Sequence, residues 1–277
     1  MAFLQINLLS QTLARTVPVN VFLPADKIEA PGAMPRGNRP YKTLYLLHGI
    51  YGNYTDWING TRIMRYAEEH DLAVVMPSGD NSFYVDQPKG NNNYGEFIGK
   101  ELVELTRKMF NLSDKKEDTF IGGLSMGGYG ALRNGLKYNE TFGYIISLSG
   151  ALVVEEMATR KGEADWFAQG KDYAEYCMGP LDKLLESDKN PKYIVKNLIK
   201  AGADIPKIYL ACGDSDNLLG VSQDMADFLK GQNIDVTFEI GPGNHEWDFW
   251  DTYIKKAIEW LPTEKNGLGI NSGNIGN

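Results

Sequence analysis

Cysteine and histidine are scarce in this chain: among 277 residues there are two cysteines, Cys177 and Cys212, and three histidines, His48, His70 and His245. So scattered, they offer no metal-ligand spacing, and neither a metal nor another cofactor is expected. Cys212 ends an apolar run, where a buried free thiol is expected rather than a disulfide. A cytoplasmic setting follows as the default. Long hydrophobic runs are also missing, since no apolar stretch approaches the roughly 20 residues of a membrane span. The opening MAFLQINLLSQTL has no basic region, and Gln5 and Asn7 break its apolar stretch, so it reads as a strand and not as a signal peptide. Positive charge is in deficit, 28 Lys+Arg against 36 Asp+Glu. With no Lys/Arg stripe, no nucleic-acid partner is expected. Repeats and low-complexity blocks are absent, and nothing in the sequence indicates an oligomeric state.

What is present is ordinary globular composition, 43% hydrophobic and 23% charged, which excludes a disordered chain. Phe3–Leu9 and Val17–Leu23 read as two antiparallel strands at a sheet edge, with one face solvated. Pro24–Pro40, with four prolines and two glycines, reads as a surface loop. A different rhythm then begins. Thr43–Leu47, Leu72–Met76, Thr119–Leu124, Tyr144–Leu148, Lys207–Ala211 and Val236–Ile240 are short apolar runs, most without alternation, as in strands buried on both faces. Between them lie amphipathic stretches, such as Ile98, Leu102, Leu105 and Met109, and later Trp247, Trp250, Ile254 and Ile258. Strand alternating with helix implies a mostly parallel sheet of about eight strands covered on both sides. One domain over residues 1–262 is expected, with 151–204 as an inserted cap above the strand ends and 263–277 as a flexible tail.

The strongest chemical signal is Gly123-Leu124-Ser125-Met126-Gly127, placed after an apolar strand and before a helical stretch. This is G-x-S-x-G in the strand–turn–helix context that makes its serine a nucleophile. Ser125 then needs a base. In the order Ser, acid, His of the α/β-hydrolase fold, His245 fits, in the loop after the last predicted strand. His48 lies before the serine and reads as a loop-ordering residue, and His70 as a solvated helix end. The acid belongs after the penultimate strand, in Cys212-Gly213-Asp214-Ser215-Asp216. A G-x-x-D register selects Asp216; Asp214 is the alternative, and whichever is not used reads as a turn or capping carboxylate.

The oxyanion donors expected are the N–H of Met126 and, from His48-Gly49-Ile50-Tyr51-Gly52-Asn53, the N–H of Ile50. Candidates for contacting substrate are Trp57, which could equally be core, Tyr84 with Asp86, which could equally be a polar loop, and Trp166 in the insert. Trp247 and Trp250 read as core.

Leu44-Tyr45-Leu46-Leu47-His48-Gly49, Gly123-Leu124-Ser125-Met126-Gly127-Gly128-Tyr129-Gly130, Cys212-Gly213-x-x-Asp216 and His245-Glu246-Trp247 resemble the esterase D-like branch of the α/β-hydrolases. Within it the motifs look closest to bacterial tributyrin esterases. The resemblance runs from about Phe3 to Pro262 and fades over Ala151–Asp204. It implies a Ser125–Asp216–His245 triad and a serine carboxylesterase that hydrolyses short acyl esters, small-molecule substrates, through an acyl-enzyme and without a cofactor. Feruloyl or acetylxylan esterase activity is the first alternative. An acyltransferase or an S-formylglutathione hydrolase-like thioesterase is the second, and His48-Gly49-Ile50 departs from the usual oxyanion loop of the formylglutathione hydrolases.

Overall fold

A computed structural model describes residues 1–28, 36–87, 90–271 and 273–275. Part of the Pro24–Pro40 loop expectation, and of the tail expectation, therefore lies outside the described residues. Eight strands form one sheet: β1 (Ala2–Ser10), β2 (Arg15–Leu23), β3 (Thr43–Leu47), β4 (Ala73–Pro77), β5 (Thr119–Leu124), β6 (Tyr144–Leu148), β7 (Lys207–Gly213) and β8 (Val236–Gly241). Their order across the sheet is β1-β2-β4-β3-β5-β6-β7-β8. The pairs β1/β2 and β2/β4 are antiparallel and the others parallel. This is the α/β-hydrolase arrangement. Only β1 keeps an alternating, half-solvated pattern. From Val19 to Leu23 β2 is buried on both faces, because β4 pairs with its other edge and makes it an interior strand.

The helices are α1 (Asp56–Gly60), α2 (Ile63–Glu69), α3 (Tyr94–Glu96), α4 (Leu102–Met109), α5 (Met126–Lys137), α6 (Val154–Thr159), α7 (Lys171–Met178), α8 (Pro191–Ala201), α9 (Leu219–Gly231) and α10 (Trp247–Trp260). A short π-helical stretch, Phe97–Glu101, joins α3 to α4. Side-chain alternation along the strands divides the core in two. Tyr45, Leu47 and Ile121 face α4, α5, α8 and α9. Leu44, Leu46 and Phe120 face α1, α2 and α10, around Trp57, Tyr66, Trp250 and Ile254. Among the described residues no helix is long and apolar enough to cross a membrane.

The register places the site. Leu47 pairs with Gly123, Leu124 with Leu148, Leu148 with Ala211 and Gly213 with Gly241. The loops leaving β3, β5, β6, β7 and β8 therefore emerge side by side, where ligands of open α/β sheets bind. The segment expected as a cap divides in two. Residues from Ala151 to Gln169 contribute to the wall of a cavity at this edge. Farther on, α8 packs against α5 with Ile194 and Val195 buried, as an ordinary sheet-covering helix.

The segment from Thr263, expected as a flexible tail, is tied to the body at several points. The Asn266 N–H donates to the Glu69 carbonyl (2.8 Å), and the Ile270 N–H to the Ile28 carbonyl (2.9 Å). Its Gly/Asn-rich composition says nothing of such long-range anchors.

Candidate active site

Ser125 sits between β5 and α5 with φ 53° and ψ −120°, a conformation costly for any residue with a side chain. Neighbouring backbone holds it there. Its N–H donates to the Leu148 carbonyl (2.9 Å), and its carbonyl accepts from the N–H groups of Tyr129 (3.1 Å) and Ala151 (2.9 Å). The flanking glycines are steric necessities. A Cβ on Gly123 would overlap the Gly127 carbonyl, and one on Gly127 would overlap the carbonyls of Leu47 and His48.

Asp216 and His245 arrive from the loops after β7 and β8, which meet where a Cβ on Gly213 would overlap the Gly243 carbonyl. His245 Nε2 lies 2.9 Å from Ser125 Oγ, and His245 Nδ1 lies 2.9 Å from Asp216 Oδ2. Asp216, ionised and acceptor-only, fixes the tautomer: Nδ1 carries the proton, leaving Nε2 to accept from the serine hydroxyl. The Asp216 carboxylate is fully buried. Burial alone would raise its pKa, but hydrogen bonds from His245, the Leu218 N–H and Ser149 outweigh it and hold the carboxyl below the usual range. Asp214 is exposed and instead accepts from the Gly243 N–H (3.3 Å) and the Ser215 hydroxyl (3.1 Å) as a turn carboxylate.

Ile50 and Met126 line the same cavity of about 390 Å³ as Ser125, Asp216 and His245. The loop carrying Ile50 presses on the elbow: a Cβ on Gly49 would stand 2.8 Å from Leu124 Cδ1 and 3.5 Å from Ser125 Cβ. His48 is buried behind it. The Gly79 N–H donates to its Nε2 (2.8 Å), so Nδ1 carries the proton and donates to the Gly49 carbonyl (2.7 Å). Burial pushes the imidazole pKa down, so His48 is a neutral brace between two loops.

The three proposed substrate contacts separate. Trp166 lines the cavity, exposed at its mouth, and donates its indole N–H to the Tyr51 hydroxyl (2.7 Å). Trp57 does not reach the cavity. It is buried, donates to the Leu47 carbonyl (3.0 Å) and packs edge-on against Trp247. Tyr84 is likewise behind the wall, fully buried with its hydroxyl on the His48 carbonyl (3.0 Å). Asp86 accepts from the Glu96 N–H (2.8 Å) and pairs with Lys137 (3.2 Å), also away from the cavity. His70, expected at a solvated helix end, is buried, with Nδ1 2.8 Å from the Thr263 hydroxyl.

Sequence reasoning missed other lining residues, including Phe83, Met157, Arg160 and Gln169. They sit in irregular or short elements, where no periodicity marks a face. The two cysteines are free and buried, and burial pushes the Cys177 thiol up to about 12 and that of Cys212 to about 11.

Residues 10–260 match the model of the family Esterase, described as "Putative esterase". An acetyl esterase of Caldicellulosiruptor saccharolyticus is 44% identical over 261 residues, covering 94% of this chain and 98% of that one. Among solved structures, the substrate-bound fluorophosphonate-binding serine hydrolase F of Staphylococcus aureus is similar at 32% identity and TM-score 0.82, covering 94% of this chain and 98% of that one. The S-formylglutathione hydrolase of the same organism is similar at 32% identity and TM-score 0.79, with the same coverage.

Proposed function

We propose that this chain, which belongs to the Esterase family and is a serine hydrolase of small-molecule carboxylic esters, works through Ser125, His245 and Asp216 and prefers short acyl groups. The observation that carries the reading is the continuous line from Asp216 Oδ2 to His245 Nδ1 and from His245 Nε2 to Ser125 Oγ, each step 2.9 Å. In this reading Ser125 Oγ attacks the ester carbonyl carbon while His245 Nε2 takes the hydroxyl proton. The tetrahedral oxyanion accepts from the Ile50 and Met126 N–H groups. His245 then passes the proton to the departing alkoxide, leaving an acyl-serine. Water repeats the sequence and releases the acid. Asp216 holds the imidazole in its tautomer and stabilises the imidazolium without taking its proton. The mechanism calls for no metal or other cofactor.

The preference for short acyl groups is supported by the 44% identity to an acetyl esterase and by the bulky side chains that Ala151–Gln169 adds to the cavity wall, Met157 and Trp166 among them. Residues 1–262 are read as one domain, and the two free, buried cysteines favour a cytoplasmic setting. A thioester is the second reading, favoured by the likeness to the S-formylglutathione hydrolase. The test is labelling with a fluorophosphonate, intact mass analysis, and turnover of p-nitrophenyl acetate beside S-acetyl and S-formyl thiol esters. Ser125→Ala is expected to lose the adduct and at least about 10³-fold in kcat with its fold retained. Near-native turnover by that variant would end the serine reading.

A further inference from the structure

The loop after β4 makes contacts that its composition does not announce. Three of its non-glycine residues hold positive φ, Asp80 at 45°, Phe83 at 54° and Tyr84 at 54°. Such a cluster persists only where surrounding contacts over-determine it, and it marks functional segments. The contacts are present. The Ser82 hydroxyl donates to the Gly79 carbonyl (2.6 Å) and accepts from the Tyr84 N–H (3.1 Å). The Tyr84 carbonyl accepts from Asn134 Nδ2 (2.9 Å), and the Tyr94 hydroxyl donates to Asp80 (2.6 Å).

This loop presents Asn81 to the oxyanion loop and to α7 at once. Asn81 Oδ1 accepts the backbone N–H of Tyr51 at 2.9 Å. The Asn81 carbonyl accepts the hydroxyl of Tyr173, on α7, which follows the cavity-wall segment, at 2.7 Å, and the Cys177 thiol at 3.5 Å. Tyr51 follows Ile50 directly and has φ 65°, again left-handed. Its ring is 67% exposed, held by the Trp166 indole N–H on its hydroxyl and by an edge-on contact with Phe167, while its backbone N–H is held by Asn81.

We propose that Asn81 is a positioning residue for the oxyanion loop, joining it to α7. This rests on the reading of Ile50 as an oxyanion donor. By holding the Tyr51 N–H, Asn81 fixes the peptide unit after Ile50, and so the torsions next to the peptide that carries the Ile50 N–H. Through Tyr173, whose ring packs edge-on against Phe167 beside Trp166, the same residue holds the cavity wall in register with that loop. An oxyanion donor is effective because it is already aimed when charge develops, so slack in this loop costs transition-state binding more than ground-state binding.

The experiment compares wild type, Asn81→Ala, Asn81→Ser, Tyr173→Phe and Ser125→Ala. Readouts are kcat and KM on p-nitrophenyl acetate, the Ki of a trifluoromethyl ketone that forms a hemiketal oxyanion on the serine, and the melting temperature. Asn81→Ala is expected to lower kcat about 10- to 100-fold. Its KM should change by less than about threefold, and its Ki for the ketone should rise by the same factor as kcat/KM falls. Tyr173→Phe should move the same quantities in the same direction by less. Asn81→Ser, too short to reach Tyr51 but still polar, decides by the same readouts if the alanine variant melts below the assay temperature. Unchanged kcat and Ki in both Asn81 variants, or a loss confined to KM, overturns the proposal while Ser125→Ala remains inactive. A fall in kcat with ketone affinity intact removes the oxyanion role of the loop and overturns it through that premise. Turnover by Ser125→Ala would instead bring down the serine mechanism itself.

Discussion

Trp250 donates its indole N–H to the hydroxyl of Ser149, 3.2 Å away and wholly buried. The Ser149 hydroxyl is in turn one of the groups that hold the Asp216 carboxyl low. The same indole sets its edge against the His245 imidazole, centroids 4.9 Å apart and planes at 88°. Trp250, legible in the sequence only as a core residue, thus touches the base and acts on the acid through Ser149. Ser149→Ala should let the Asp216 carboxyl rise toward its ordinary value. A loss of about 10-fold in kcat/KM at neutral pH is expected, the low end for one hydrogen bond to a charged group. Steady-state kinetics at neutral pH check this; an unchanged kcat/KM would show that Asp216 does not depend on Ser149.

The two acidic residues after β7 should respond very differently to an amide. Asp216→Asn would favour the wrong imidazole tautomer and is expected to cost about 10³- to 10⁴-fold in kcat. Asp214→Asn keeps an oxygen that can still accept the Gly243 N–H, so it should stay within about threefold of wild type. Steady-state kinetics on the two variants decide; a crippled Asp214→Asn would reverse the assignment of the acid.

Acyl length should be bounded. Each buried methylene gains about 0.8 kcal/mol of transfer free energy, so an open groove would reward longer chains steadily. Here Met157, Ala168 and Trp166 line the cavity, and Trp166 is bonded to Tyr51 across its mouth. kcat/KM on p-nitrophenyl esters is expected to peak between acetate and butyrate and to fall beyond. A steady climb to palmitate would refute a closed pocket, and methyl ferulate turnover above that of the short esters would move the preference to hydroxycinnamoyl groups.

Acid should weaken the fold through His70. Burial, with Lys265 nearby, pushes its imidazole pKa down, so the folded chain carries it neutral where the unfolded chain already binds a proton. Its contribution is then fully present above the unfolded value of about 6.5 and is lost as pH falls below it, by at most about 1.4 kcal/mol per pH unit. His48, also lowered by burial, acts in the same direction. Denaturant melts at neutral pH and near pH 5.5 should show a smaller acid loss in His70→Asn than in wild type. An equal loss in both would assign the effect to other groups.

All eight strands were legible because each is a local statement. A run such as Thr43–Leu47, buried on both faces, announces itself by lacking alternation. The elbow was legible for the same reason, since the close approach of Gly123 to Gly127 is a matter of five residues. Chain order then sufficed to choose Ser125, Asp216 and His245 as a group, because the parallel register brings successive loops to one edge.

Tertiary structure decided what depends on contacts between distant segments. Trp57 and Tyr84 look like pocket residues on position along the chain, yet their polar atoms are taken by the carbonyls of Leu47 and His48, which turns both rings into the scaffold. His70 looked solvated until Thr263, 193 residues later, came to rest on it. The separation of the expected cap into a stretch of cavity wall and a sheet-covering α8 likewise follows from where α8 meets α5. Periodicity and turn chemistry are set by neighbours within a few residues and can be read directly. Which buried polar group finds which partner is set by the packing of the whole chain, because an unpaired one is too costly to leave, and no local pattern encodes the partner.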